Sequence, residues 1–69
     1  MTDAVFRKIE IVGTSIVSIE DAIAKGVAAA SASGDEVDWF EVQETRGAVR
    51  DGKVHQYQVV LKLGVRIRT

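Results

Sequence analysis

Between Ala4 and Val12, Val5, Ile9 and Ile11 share one parity with Arg7, while Phe6, Lys8, Glu10 and Val12 share the other. That period of two, with frequent β-branched residues, predicts a first strand. Gly13-Thr14-Ser15 breaks the alternation, and both Ser15 and Ser18 can cap a helix, Ser18 standing three residues before Asp21 in a capping-box-like spacing. The helix is therefore expected to start within residues 15–19. Ile16, Ile19, Ala22, Ile23, Gly26, Val27 and Ala30 recur at steps of three and four and form one apolar stripe, with Glu20, Asp21 and Lys25 away from it. The stripe is small-sided, with Ala22, Gly26 and Ala30 among its members. Gly26 inside a helix costs about 1 kcal/mol relative to Ala, and close approach of helix and sheet is the favoured explanation. Gly34 suits the helix C-terminus.

Beyond Asp35-Glu36 the period returns to two. Residues 37–48 and 54–68 both read as strands, and Asp51-Gly52 between them is a strong hairpin signal. The predicted order is β-α-β-β, an α+β fold in a single domain over residues 1–69. If Asp51-Gly52 form a type I′ turn, one face pairs Phe40 with Leu63, Val42 with Leu61, Glu44 with Val59 and Arg46 with Tyr57. The other pairs Trp39 with Gly64, Glu41 with Lys62, Gln43 with Val60 and Thr45 with Gln58. The first, largely apolar face is expected to cover the helix. The second is polar except for Trp39 and Val60.

Length and composition narrow the function. The 69 residues are 46% apolar and 28% charged, with no Cys and no Pro. A core this small rarely supplies more than about 3–5 kcal/mol, so a bound ligand or self-association is expected to add stability. The formal charge of −1 argues against nucleic acid or a polybasic membrane ligand as partner. Without Cys there are no disulfides, thiolate metal sites or thiol nucleophiles, which favours a cytoplasmic address. No apolar run approaches the roughly 20 residues that span a bilayer, and Met1-Thr2-Asp3 does not open a signal peptide.

Candidate chemistry is sparse. His55, the only histidine, lies just past the turn on the inward parity with no carboxylate or nucleophile suggested beside it. The adjacent acids Glu20-Asp21 and Asp35-Glu36 do not face each other as catalytic carboxylates would, and no metal-ligand spacing is present. Catalysis and protein-bound metal are not expected, although acidic side chains around a symmetry axis could bind an ion. Gly13-Thr14-Ser15 is read as a cap in preference to a phosphate site, because no phosphate-loop pattern accompanies it. Trp39 is more informative: an indole on the polar face, opposite a residue without a side chain, serves either as a ligand-stacking platform or as an interface anchor.

Gly13-Thr14-Ser15, Asp38-Trp39-Phe40-Glu41-Val42, Arg46-Gly47, Tyr57-Gln58-Val59 and Gly64-Val65-Arg66 together resemble the dodecins, small flavin-binding proteins, over essentially the whole chain. The resemblance implies a curved three-stranded antiparallel sheet partly wrapping one helix, assembled into a hollow homododecamer. It also implies that FMN or riboflavin binds in pairs between symmetry-related subunits. Trp39 matches the tryptophan that stacks on the isoalloxazine, and Gln58 matches the glutamine that hydrogen-bonds its polar edge. Arg46 and Arg66 match arginines suited to the FMN phosphate or to coenzyme A. The helix end, residues 28–34, is smaller and less basic than in many bacterial relatives, and Val65 replaces a frequent phenylalanine. In the flat register Gln58 lies six residues from the Trp39 position, roughly 20 Å at about 3.3 Å per residue. Both therefore reach one flavin most simply from different subunits. Arg46 falls on the opposite parity from Trp39, so its role requires a bend near Gly47 or another subunit. The functions this leaves open are a flavin store, a structural homo-oligomer, and a small flavin- or coenzyme-A-dependent enzyme.

Overall fold

The structure, a computed structural model, describes residues 3–68; the reading at Met1 and Thr2 and the last residue of the domain lie outside them. Strand β1 (Val5–Ser15), helix α1 (Ile19–Ala32), β2 (Val37–Arg50) and β3 (Lys53–Ile67) follow in the predicted order. The three strands form one antiparallel sheet in the order β1-β3-β2. β1 does not break at Gly13 but runs on to Ser15, because Gly13 and Thr14 pair with Val59 and Gln58.

Two serines set the helix start. Ser18 is the N-cap in extended backbone, and its Oγ accepts from the Asp21 N–H at 3.0 Å. The reciprocal arm of a capping box is missing: the Ser18 N–H goes to Ser15 Oγ at 3.3 Å. Ser15, buried, also accepts from the Val17 N–H at 2.8 Å and donates its hydroxyl to Asp21 Oδ2 at 2.6 Å. Ile16 therefore lies in the connecting turn, exposed, and not on the helical stripe. At the other end Gly34, at φ 98°, takes the left-handed conformation that closes the helix.

The Asp21 carboxyl is held below its ordinary value of 3.8, first by the Ser15 hydroxyl and then by Lys25, whose Nζ lies 2.9 Å away. A carboxyl whose folded value is the lower one stabilises the fold fully above the unfolded value and loses that contribution as pH falls through the folded one. Asp21→Asn should therefore flatten the loss of stability below about pH 4. Urea melts at pH 7 and pH 3 check this; equal acid sensitivity in both proteins would contradict it.

Helix and sheet meet where both lack side chains. A Cβ on Gly26 would lie 3.0 Å from Leu61 Cδ1 and 3.3 Å from Ile11 Cδ1, and one on Gly13 would run into the Ala22 carbonyl oxygen. This close approach is the reason for a glycine in mid-helix. Ala22, Gly26 and Ala30 of α1 are buried against Val59, Leu61, Leu63 and Val65, with Ile9, Ile11, Ile23, Val27 and Val37 packed around them. β3 supplies most of this core because it is the central strand.

The hairpin turn is as expected, with Asp51 and Gly52 both at positive φ (53° and 74°). The register is not uniform. Trp39 pairs with Gly64, Phe40 with Leu63, Glu41 with Lys62 and Val42 with Leu61, as the flat register predicts. After an irregularity at Gln43, Glu44 pairs with Val60, Thr45 with Val59, Arg46 with Gln58 and Gly47 with Tyr57. The flat pairings of Glu44 with Val59, Arg46 with Tyr57, Gln43 with Val60 and Thr45 with Gln58 are thus corrected by one residue. The physical reason is polarity: the flat register would turn Glu44 and Arg46 toward the core side, and one extra residue reverses them. A second irregularity, at His55, restores the register before the turn, so His55 is an unpaired, exposed bulge residue and does not lie on an inward-facing row.

The helix covers less of the sheet than the pattern suggests. Phe40 and Val42, on the core side of β2, are 49% and 43% exposed. The Cα radius of gyration is 14.2 Å, against about 11 Å for a compact chain of this length. With extents of 55 × 20 × 13 Å the chain is an elongated slab in which α1 covers β2 only in part.

Candidate functional site

The four residues singled out for binding lie on the outward face of the sheet, in two separate groups. In the first, the Trp39 indole lies across Gly64. A Cβ added to Gly64 would meet Cδ2, Cε2 and Cζ2 of the ring alike, so the ring is stacked face-on over bare backbone. Phe6 comes from the far side of β3 and meets the indole edge-on, ring centroids 4.8 Å apart and planes at 65°. Trp39 stays 38% exposed although its ring lies against Gly64 and Phe6.

Arg66 belongs to the same group. Its guanidinium carbon is 5.4 Å from the Phe6 ring centroid. Its Nε and Nη2 both donate to Asp38 Oδ2, at 3.1 and 2.8 Å. Asp38 stands unpaired at a third irregularity, between the Val37–Val65 and Trp39–Gly64 pairs. Asp38, and then Glu36, raise the already high Arg66 value further. Beside the indole, Lys8 Nζ reaches across β3 to Glu41 Oε1 at 2.6 Å. Glu41 thus stands opposite Lys62 in register while its carboxylate pairs with β1.

The second group sits nearer the hairpin turn. Arg46 Nε donates to Gln58 Oε1 at 2.8 Å, and Gln58 Nε2 donates to Gln56 Oε1 at 2.9 Å. Arg46 also lies 3.5 Å from Glu44 Oε1. The Gln58 amide is oriented by these contacts, yet its oxygen keeps one lone pair and its nitrogen one N–H for a ligand. The bulge at Gln43 brings Arg46 onto the face of Gln58, so no bend at Gly47 is needed.

The structure joins Trp39 with Arg66, and Gln58 with Arg46, but does not join the two pairs. Gly64 and Gln58 are six residues apart on β3, roughly 20 Å, which is longer than a fused tricyclic ring. Phe6, Asp38 and Gln56 were not singled out from the sequence. Phe6 carried a signal, being an aromatic on the polar parity of the first strand just as Trp39 is on the second. A groove of about 460 Å³ between β1 and α1, lined in part by Ile11, Gly13, Lys25 and Ala29, contains none of the four residues. Among the described residues no group of three or more His, Cys, Asp or Glu could hold a metal ion, and no helix is long and apolar enough to cross a membrane.

Comparison with known proteins matches residues 5–68 to the Dodecin family model. A dodecin from Thermus thermophilus is 44% identical over 63 residues, covering 91% of each chain. The solved structure of dodecin from Streptomyces coelicolor superposes with a TM-score of 0.92 at 40% identity, covering 100% of this chain and 99% of that one. A more distant structure, described as a calcium dodecin from Mycobacterium tuberculosis with a calcium-binding site, gives a TM-score of 0.80 at 33% identity, over 93% and 91% of the two chains.

Proposed function

The chain belongs to the dodecin family, and from that premise we propose that it stores and sequesters flavin, FMN or riboflavin, in a homododecamer in the cytoplasm. The observation that carries the reading is the Trp39 indole, laid over Gly64 on the outward face of the sheet and still 38% exposed. A planar heterocycle stacked there buries apolar area and gains about 0.5–1.5 kcal/mol beyond burial. Gln58 offers one free acceptor site and one free donor toward the alternating polar edge of an isoalloxazine. Because Trp39 and Gln58 are about 20 Å apart in one protomer, each flavin takes them from different copies, and assembly completes the site. The half-exposed Phe40 and Val42 on the core side of β2 support association.

An electron-rich indole in contact with an excited flavin quenches it by electron transfer, so the store also limits flavin photochemistry. The protein binds and does not turn over. Arg66, over the Phe6 ring that borders the indole, is assigned to an anionic tail such as the FMN phosphate, or to coenzyme A. Arg46 is assigned first to orienting the Gln58 amide and second to the same anions. Fluorescence titration with FMN and riboflavin, run beside size-exclusion chromatography, tests the reading. Quenched flavin co-eluting with a species near twelve protomers supports it. Colourless protein that ignores flavin supports a structural oligomer with Trp39 as anchor, and NAD(P)H-dependent turnover supports an enzyme. Gln58→Ala should weaken flavin binding by roughly fivefold, the value of a hydrogen bond or so, while the residual bound flavin stays quenched. Emission recovered in that variant at saturation would contradict the division of roles.

A further inference from the structure

We propose that Asp38 sets the preference of the site between phosphorylated and unphosphorylated flavins, by occupying the Arg66 guanidinium that a phosphate would need. The proposal rests on the flavin reading above. Arg66 gives two N–H groups to one carboxylate oxygen, Asp38 Oδ2, at 2.8 and 3.1 Å, and its Nε lies 3.8 Å from Glu36 Oε2. Arg68 Nη2 pairs in turn with Glu36 Oε1 at 3.1 Å. Two cations and two carboxylates thus cancel where an anionic tail would arrive.

Carboxylate and phosphate compete for the same guanidinium fork, so a phosphate takes these donors only as the Asp38 pair opens. Arg66 is tied to the stacking platform: it lies over the Phe6 ring, and Phe6 touches Trp39. Its state therefore bears on a ligand stacked on the indole. Asp38 stands at the irregularity in β2, without a ladder partner, and its carboxylate takes both Arg66 hydrogen bonds. Neutralising it leaves the local cluster with one surplus positive charge and two donors released, a change that acts on a phosphate and not on a neutral ribityl chain.

The experiment measures FMN and riboflavin affinity on the same preparations of the assembled protein, its Asp38→Asn variant, and the variant carrying both Asp38→Asn and Arg66→Ala. Asp38→Asn should raise the ratio of FMN to riboflavin affinity by about two- to fivefold, the range for releasing an exposed ion pair. The gain should shrink in high salt. The double variant should show no gain. A ratio that stays flat or falls in Asp38→Asn while riboflavin still binds overturns the assignment, as does a gain that survives loss of Arg66. Wild-type protein that binds neither flavin overturns the flavin reading and this inference with it. Because both ligands are read on one preparation, partial unfolding of a variant cancels from the ratio.

Discussion

Trp39→Ala should lower flavin affinity by roughly tenfold or more and restore the emission of whatever flavin still binds. The estimate combines about 0.5–1.5 kcal/mol of aromatic stacking with the apolar ring area no longer buried. The indole is not part of the core: it lies on the outward face, across Gly64 and against the edge of Phe6, so its removal leaves α1 and the Leu61–Leu63 packing intact. Loss of binding should therefore come without collapse of the fold. Gly64→Ala gives an independent route to the same outcome, since the added Cβ would occupy the space of the ring and push the indole off its platform while leaving tryptophan present. Steady-state fluorescence titration separates affinity from quenching. Unchanged affinity and unchanged quenching in Trp39→Ala would remove the residue from the site.

Gly13→Ala should be the most damaging single methyl addition to the fold, costing about 2–3 kcal/mol, the upper part of the range for overpacking. The new Cβ would collide with the Ala22 carbonyl oxygen, which is helix backbone and cannot rotate away. Relief requires α1 to lift from β1, uncovering Ile9 and Ile11 together. At Gly26 the same change meets only the ends of the Leu61 and Ile11 side chains, at 3.0 and 3.3 Å, and gains helix propensity of about 1 kcal/mol, so Gly26→Ala should cost less. Urea denaturation of both variants, with size-exclusion chromatography to follow assembly, orders them. Gly26→Ala as harmful as Gly13→Ala would contradict the account of how helix and sheet meet.

Much of this architecture can be read from local chemistry. The helix follows from its small apolar stripe and its serine cap, and the hairpin from Asp51-Gly52. The pairing of Trp39 with Gly64 follows from counting outward from that turn. The count fails at Gln43, because a bulge adds one residue without changing composition. The clue was the conflict it left behind: Glu44 and Arg46 assigned to an apolar face. The order of strands in the sheet was beyond local signals, since β1 pairs with β3 across α1 and β2, and with it Phe6 stayed unconnected to Trp39. The partial cover of β2 was equally hidden. A period-two pattern states that Phe40 and Val42 avoid water but not whether helix or neighbouring protomer shields them.

One flavin should be held by Trp39 of one copy and Gln58 of another. A crystal structure of the assembled protein soaked with FMN tests it directly. The expected density is an isoalloxazine ring parallel to the Trp39 indole, with its polar edge on a Gln58 amide from a different protomer. A ring contacted by Trp39 and Gln58 of the same chain, or seated away from the indole, would contradict it.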